Sequence, residues 1–259
     1  MSLESYKKLV EGKKIALVGP AKYMEGSGFG SDIDSHDLVV RINRGIESVE
    51  EYSSDIGCRT DIYYSCLIET YQQTGFLNPK QLKESYNIQY IVAPPESNFQ
   101  GISSANNFHH LVDSKKVQEL EKHFPIRIID YRFHTALARE VQCKPNTGFL
   151  SIYDLLNPLL GVQKLSIYGF SFYLDGFLTG QKSGIEKEKG CTEQEFADMA
   201  FNSKRHVQKN MWLYAKHSLL HDKRVSLDPF LKEILLLREF DREIYEDIHS
   251  NKAGISKSS

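Results

Sequence analysis

Short apolar runs recur along the chain, and each closes in residues that stop a strand. Residues 14–18 (KIALV) run into Gly19-Pro20, residues 37–42 (DLVVRI) into Asn43-Arg44, and residues 88–93 into Pro94-Pro95. The segments 59–67 (RTDIYYSCL), 126–130, 165–168 and 224–228 share that β-forming character. Helical stretches fall between them. The spacing predicts helices over 47–53, 79–85, 112–123 and 133–141, then one capped by Asn146 or Thr147 that runs to about residue 160. Thr192 and Glu195 have the form of a capping box, and Ser203 is placed to cap a longer helix through 217. Residues 231–248 read as a charged amphipathic helix with the leucines at 235–237 in the core. Strands alternating with helices predict an α/β fold. Its sheet should be mostly parallel with helices on both faces, because parallel neighbours need crossover connections.

Sheets of this kind bind ligands in the crevice beyond the carboxyl ends of their strands. Gly19 and Pro20 follow the first strand, Asn43 the second, and Gly169, Phe170 and Ser171 the strand at 165–168. Asn146, Thr147 and Gly148 open a helix whose free first-turn amides suit an anion. His206 is expected in the first turn of the helix that Ser203 caps. Gly26, Gly28 and Gly30 form a turn able to approach a ligand. Their G-x-G-x-G spacing is neither the dinucleotide fingerprint nor a phosphate loop, so on its own it reads first as a flexible turn. Residues 98–110 are expected as a surface loop over the crevice, 175–190 as a mobile loop, and 250–259 as a disordered tail behind a single domain at 1–249.

Composition narrows the partners. Charged residues make up 25% of the 259 and the net charge is −2. No general field is present for nucleic acid or an anionic membrane, so any phosphate must be held locally. The four cysteines lack C-x-x-C spacing and read as reduced thiols. No run approaches the roughly 20 apolar residues of a membrane span, and residues 1–11 have no hydrophobic signal core. These features lead to the expectation of a soluble, cytoplasmic protein. The letters Asp32-Ile33-Asp34 lie outside a convincing metal loop and read as structural, so no metal is expected. Oligomeric state is left open.

The string GSGFGSDIDSHDLVVRIN, from Gly26 to Asn43, resembles the large sialyl motif of the animal-type sialyltransferases, glycosyltransferase family 29. KPNTGFLSIYDLLNPLLGVQKLSIYGFSFY, from Lys144 to Tyr173, is similar to the small sialyl motif of the same family. The resemblance covers most of residues 13–228. It implies a single Rossmann-like domain, a GT-A-like variant. It also implies an inverting transfer of a sialic acid, or a related Kdo-like acid, from a CMP donor to a glycan or glycolipid hydroxyl, without metal or other cofactor. His206 would be the general base. Gly19, Pro20 and Asn43 would contact the donor, Asn146, Thr147 and Gly148 its phosphate or carboxylate, and Gly169, Phe170 and Ser171 the nucleoside side.

This chain also departs from the pattern. Pro20 replaces an asparagine, Met211 replaces the glutamate of the last motif, and the third-motif histidine is missing near Leu174 to Phe177, leaving Tyr173 or Lys182 as substitutes. Ile15 and Gly161-Val162 occupy the places of the family's bridging cysteines, which favours a reducing compartment. Family members in animals carry an N-terminal anchor, whereas here the first strand begins almost at once; a cytoplasmic relative or a shortened chain both fit. Two other readings stay open: a catalytically inactive CMP-sugar-binding protein, and a transferase using another nucleotide-sugar donor.

Overall fold

The computed structural model describes residues 3–67, 78–95, 114–178 and 192–246. Seven strands, β1 (Lys14–Val18), β2 (Leu38–Ile42), β3 (Ile62–Tyr64), β4 (Tyr90–Ala93), β5 (Ile126–Ile128), β6 (Lys164–Tyr168) and β7 (Val225–Leu227), form one sheet. The order is β5-β4-β3-β2-β1-β6-β7 and every pairing is parallel. The chain thus steps outward from β1 to β5, returns to β1's other side for β6, and reverses strand order between β1 and β6. That reversal opens a crevice at the carboxyl edge.

Ten helices are described: α1 (Leu3–Val10), α2 (Gly30–Asp34), α3 (Ser53–Ile56), α4 (Pro79–Glu84), α5 (Ser114–Glu121), α6 (Tyr131–Glu140), α7 (Thr147–Leu155), α8 (Glu193–Phe201), α9 (Gln208–Leu219) and α10 (Pro229–Leu236). Alternate strand residues meet opposite layers, as the period of two requires. Ile15, Leu17, Val40 and Ile167 join a cluster with Tyr6 and Val10 of α1, Phe149 and Ile152 of α7, and Trp212 of α9. Ala16, Val18 and Val39 pack on the other face with Met24, Ile33 and Ile56. Among the described residues, no helix is long and apolar enough to cross a membrane.

Several boundaries differ from the sequence expectation, each for a tertiary reason. The helix at 47–53 is absent. Asn43–Ile46 forms a 3-10 turn and a short α3 follows. The guanidinium of buried Arg41 takes the carbonyls of Ile56 and Gly57 at 2.7 and 2.9 Å, holding this segment to β2. The helix expected to reach residue 160 stops at Leu155. Asn157 then caps a separate 3-10 turn with Pro158 in its first position, where proline is tolerated. The 231–248 helix starts at Pro229 and breaks after Leu236, so that both Leu237 and Tyr245 are buried; Leu236 faces solvent while Leu235 and Leu237 enter the core. Helix α1 was not expected. The loop at 98–110 and the tail at 250–259 lie outside the described residues.

One buried ion pair ties α7 to the sheet. Arg127 of β5 donates through both terminal nitrogens to Asp154 of α7, each at 2.7 Å. Tyr64 donates to the same carboxylate at 2.7 Å and meets Tyr6 of α1 at 2.9 Å, and the guanidinium lies over the Tyr6 ring. Removing one partner of a buried pair leaves the other uncompensated. Arg127→Met should therefore cost about 3–5 kcal/mol, read as a lower urea midpoint, whereas Arg127→Met with Asp154→Leu should recover most of it; equal losses in both would refute the pair's role.

Candidate active site

The crossing of β1 and β6 at the strand ends leaves no room for side chains. A Cβ on Gly19 would lie 2.3 Å from the Gly169 carbonyl oxygen, and one on Gly169 would lie 2.4 Å from that of Gly19. Gly169 also has φ +73°, a left-handed value that favours glycine. Ala21 N donates to Gly169 O at 3.0 Å, so the two turns are tied. Asp228, just past β7, secures them from behind. Its Oδ2 accepts from Gly169 N at 3.0 Å and from the Tyr23 hydroxyl at 2.8 Å, and that hydroxyl accepts from Phe170 N at 2.9 Å. Its Oδ1 caps α10 by accepting from Leu231 N. Burial raises the Asp228 carboxyl above its usual range.

A cavity of about 420 Å³ opens at this edge. It is bounded by Pro20 and Ala21 after β1, Asn43 and Arg44 after β2, Gly169, Phe170 and Ser171 after β6, and the start of α7. All the site residues expected from sequence line it except Gly19, which sits behind the wall because its backbone is pressed against Gly169 and the Phe170 ring. The Phe170 ring also comes within 3.1 Å of where a Cβ on Gly148 would stand. Both glycines thus make space for one aromatic ring. Gly26 and Gly28 do not reach the cavity; their N–H groups donate to the Asp55 carboxylate at 2.9 Å each. Asp32 accepts from the Tyr168 hydroxyl and Asp34 from Cys58 N and Arg59 N, so both carboxylates have partners within the fold.

Asn43 is held with φ +44°, a conformation asparagine tolerates better than most residues. Its Oδ1 accepts from Cys66 N at 3.0 Å, so the amide nitrogen is the group left to donate into the cavity. Asn146 caps α7 by accepting from Phe149 N at 2.8 Å. The start of the expected mobile loop at 175–190 is in fact anchored: Asp175 accepts from Tyr23 N at 2.6 Å, and Phe177 bridges Ala21. Its remainder, with Lys182, lies outside the described residues. Tyr173, Phe177 and Phe196 form an aromatic row along the cavity, with centroids 4.8 and 5.0 Å apart. Phe172 and Tyr173 both take positive φ, a strain that clusters at functional sites. Arg242 helps hold it by donating to Tyr173 O at 3.0 Å.

His206 lines the cavity but is not in a helix turn. α9 begins at Gln208 after Val207, and Ser203 merely accepts from His206 N at 3.1 Å in the preceding turn. Lys144 sets this conformation: its N–H donates to Arg205 O at 3.1 Å, and its carbonyl meets His206 Nδ1 at 2.7 Å. A carbonyl only accepts, so Nδ1 carries the proton and Nε2 is left with a lone pair. Burial, reinforced by the charges of Arg205, Lys144 and His134, pushes the imidazole down to about 4. The helix dipole is not the cause. Sequence reasoning missed Lys144, Arg205, Gln208 and Phe196 as lining residues, since nothing in their local pattern separates them from surface positions.

The model of glycosyltransferase family 29 (sialyltransferase) matches residues 7–171. Among curated proteins, alpha-N-acetylgalactosaminide alpha-2,6-sialyltransferase 1 of Gallus gallus is 34% identical over 80 residues, 29% of this chain and 14% of that protein. CMP-N-acetylneuraminate-beta-galactosamide-alpha-2,3-sialyltransferase 1 of Gallus gallus is 27% identical over 168 residues, 61% of this chain and 44% of that one. The chain spans less than half the length of these relatives. A crystal structure of a mammalian sialyltransferase is 18% identical, with a TM-score of 0.48, covering 85% of this chain and 70% of that chain.

The histidine geometry has a pH signature. His206 and the buried His134 of α6 are both held down to about 4, chiefly by burial, against an ordinary 6.5. Below 6.5 the unfolded chain takes up protons that the native state refuses until about 4, so native stability should fall as pH drops through that window. Imidazole NMR should show His206 as the Nδ1–H tautomer, neutral at pH 6; titration at its ordinary value would refute the buried arrangement.

Proposed function

Because this chain belongs to glycosyltransferase family 29, the sialyltransferases, we propose that it moves a sialic acid, or a related keto-sugar acid, from a CMP donor to a hydroxyl of a glycan or glycolipid. The observation that carries this reading is His206, oriented by the Lys144 carbonyl with Nε2 unprotonated, in the cavity shared by Asn43 and the α7 start. Nε2 takes the acceptor hydroxyl's proton as that oxygen attacks the anomeric carbon from the side opposite the phosphate. The bond to the phosphate breaks, CMP departs with the electron pair, and the configuration inverts.

The donor carries a single phosphate diester and CMP leaves as a monoester, so fixed donors can stabilise the developing charge without a metal. This reading gives that task to the first-turn amides of α7 ahead of Phe149 and to the Asn43 amide nitrogen, supported by the cap of α7 and by the bond that occupies Asn43 Oδ1. An anionic donor opposes the smaller part of the downward shift at His206, the part that the charges of Arg205 and Lys144 add to burial. The aromatic row of Tyr173, Phe177 and Phe196 offers an apolar wall to a sugar ring.

A second reading is favoured by two departures, the missing third-motif histidine and Met211, which is fully buried on α9. It is a protein that binds the donor without transferring it. A panel of CMP-linked sugar acids and glycan acceptors, assayed with and without EDTA, separates the two. Transfer unaffected by EDTA is expected, with His206→Ala lowering turnover about 10²–10⁴-fold while CMP affinity stays nearly unchanged; full transfer by that variant would remove His206 as base. Asn43→Asp keeps the acceptor for Cys66 N but turns a carboxylate toward the donor. It should weaken CMP by about 1–3 kcal/mol in calorimetry, and unchanged affinity would take Asn43 out of the site.

A further inference from the structure

Lys144 is a cation of the cavity wall whose ammonium has no hydrogen-bond partner among the described residues. It sits in the short link between α6 and α7, is 8% exposed, and forms part of the cavity wall. Its Nζ is closed off from solvent and has no hydrogen-bond partner among the described residues. An amine buried in this way is costly, and native proteins keep such a group where another role requires it. Arg44, another cation on the wall, is already bound to Glu47 through Nε at 3.1 Å and Nη2 at 2.7 Å. The groups that act on Lys144 are Arg205, which pushes its pKa in the same direction as burial, to about 7, and Cys66, which opposes the shift; its charge in turn acts on His134 of α6 and on His206.

Backbone and side chain are held differently here. The Lys144 N–H and carbonyl are fixed to Arg205 and His206, while the four-methylene side chain has no polar anchor. The ammonium can therefore turn within the wall without moving the histidine. Only Pro145 separates it from Asn146 and the first turn of α7, where the anion-binding amides are.

We propose that Lys144 binds the donor's phosphate, its ammonium turning toward the start of α7 to supply a positive charge that the surrounding wall leaves uncommitted. The inference rests on the nucleotide-donor reading above and names a residue that the sequence pattern did not. As the bond from the anomeric carbon to the phosphate oxygen breaks, the electron pair and its charge collect on the phosphate. The ammonium beside it stabilises that charge electrostatically, and no proton need change hands. A bound phosphate gives the Lys144 ammonium the partner that the described residues do not supply, which makes the contact selective for a phosphorylated ligand.

Lys144→Met tests this, because it removes the charge and keeps the length, the packing and both backbone bonds. Calorimetry with CMP and with cytidine should give CMP about 10- to 100-fold weaker in the variant, the scale of a hydrogen bond to a charged group, and cytidine unchanged. The melting temperature should not fall, since a buried unpaired charge has gone; loss of affinity with gain of stability is a pattern that a merely structural lysine would not give. Lys144→Gln should show the same CMP loss. If either folded variant binds CMP as tightly as the unaltered protein, the proposal is overturned. If the unaltered protein prefers UMP or GMP, the donor reading fails instead, and the same comparison of that nucleotide with its nucleoside decides Lys144 separately. Absence of any nucleotide binding overturns both.

Discussion

The contact between the backbones of Gly19 and Gly169 is the constraint on which the site depends. β1 and β6 are paired in register up to Val18 and Tyr168, and the turns that follow stay tied through Gly19 N to Tyr168 O and Ala21 N to Gly169 O. There the two glycines are pressed together, and even a methyl group on either would clash. From that crossing follow the placement of Pro20 and Ala21 on one lip of the cavity and of Phe170 and Ser171 on the other. Asp228 and Tyr23 hold the arrangement by satisfying the turn amides that the sheet can no longer pair.

Charge is handled in two opposite ways in this molecule. Deep in the layers, Arg127 is matched to Asp154 in a two-fold contact, and Arg41, fully buried in β2, is surrounded by carbonyls of 56, 57 and 59 and the Thr60 hydroxyl. These cations serve the fold, stitching α7 and the segment after α3 to the sheet. At the cavity, by contrast, the Lys144 backbone orients His206 through Nδ1 and leaves Nε2 free, while the Lys144 ammonium has no hydrogen-bond partner among the described residues. What sets Lys144 and His206 apart is that both also line the cavity, where a ligand can reach them.

The errors in the sequence reading fall where a distant partner overrode local preference. Residues 203–206 have helix-forming company and a serine to cap them, yet the Lys144 backbone draws them into an irregular turn. Residues 47–53 lose their helix because Arg41 and the glycine turn compete for the next stretch; Asp55 is spent on Gly26 and Gly28 N–H groups. α1 had a legible signal in Tyr6 and Val10, four residues apart and both buried, but an eight-residue helix is too short to stand out without knowing what covers it. The break after Leu236 answers to packing too: Trp212 donates to Ile234 O, and Lys216 donates to Leu237 O, so α9 fixes where α10 stops.

The sequence by itself determined the alternation of strand and helix, the parallel sheet, and the carboxyl-edge residues Pro20, Asn43, Asn146 to Gly148 and Gly169 to Ser171. These depend on local periodicity, turn chemistry and motif spacing, which are written in neighbouring residues. Only the tertiary structure decided that Gly19 is a packing residue, that Asn43 presents its nitrogen rather than its oxygen, that burial rather than a helix end sets His206, and that Lys144 belongs to the cavity. Each of those depends on groups brought together from 23 to 150 positions apart, such as Asn43 with Cys66 and Gly19 with Gly169. Which atom of a side chain is left unsatisfied is a property of that assembled surrounding, and no local pattern carries it.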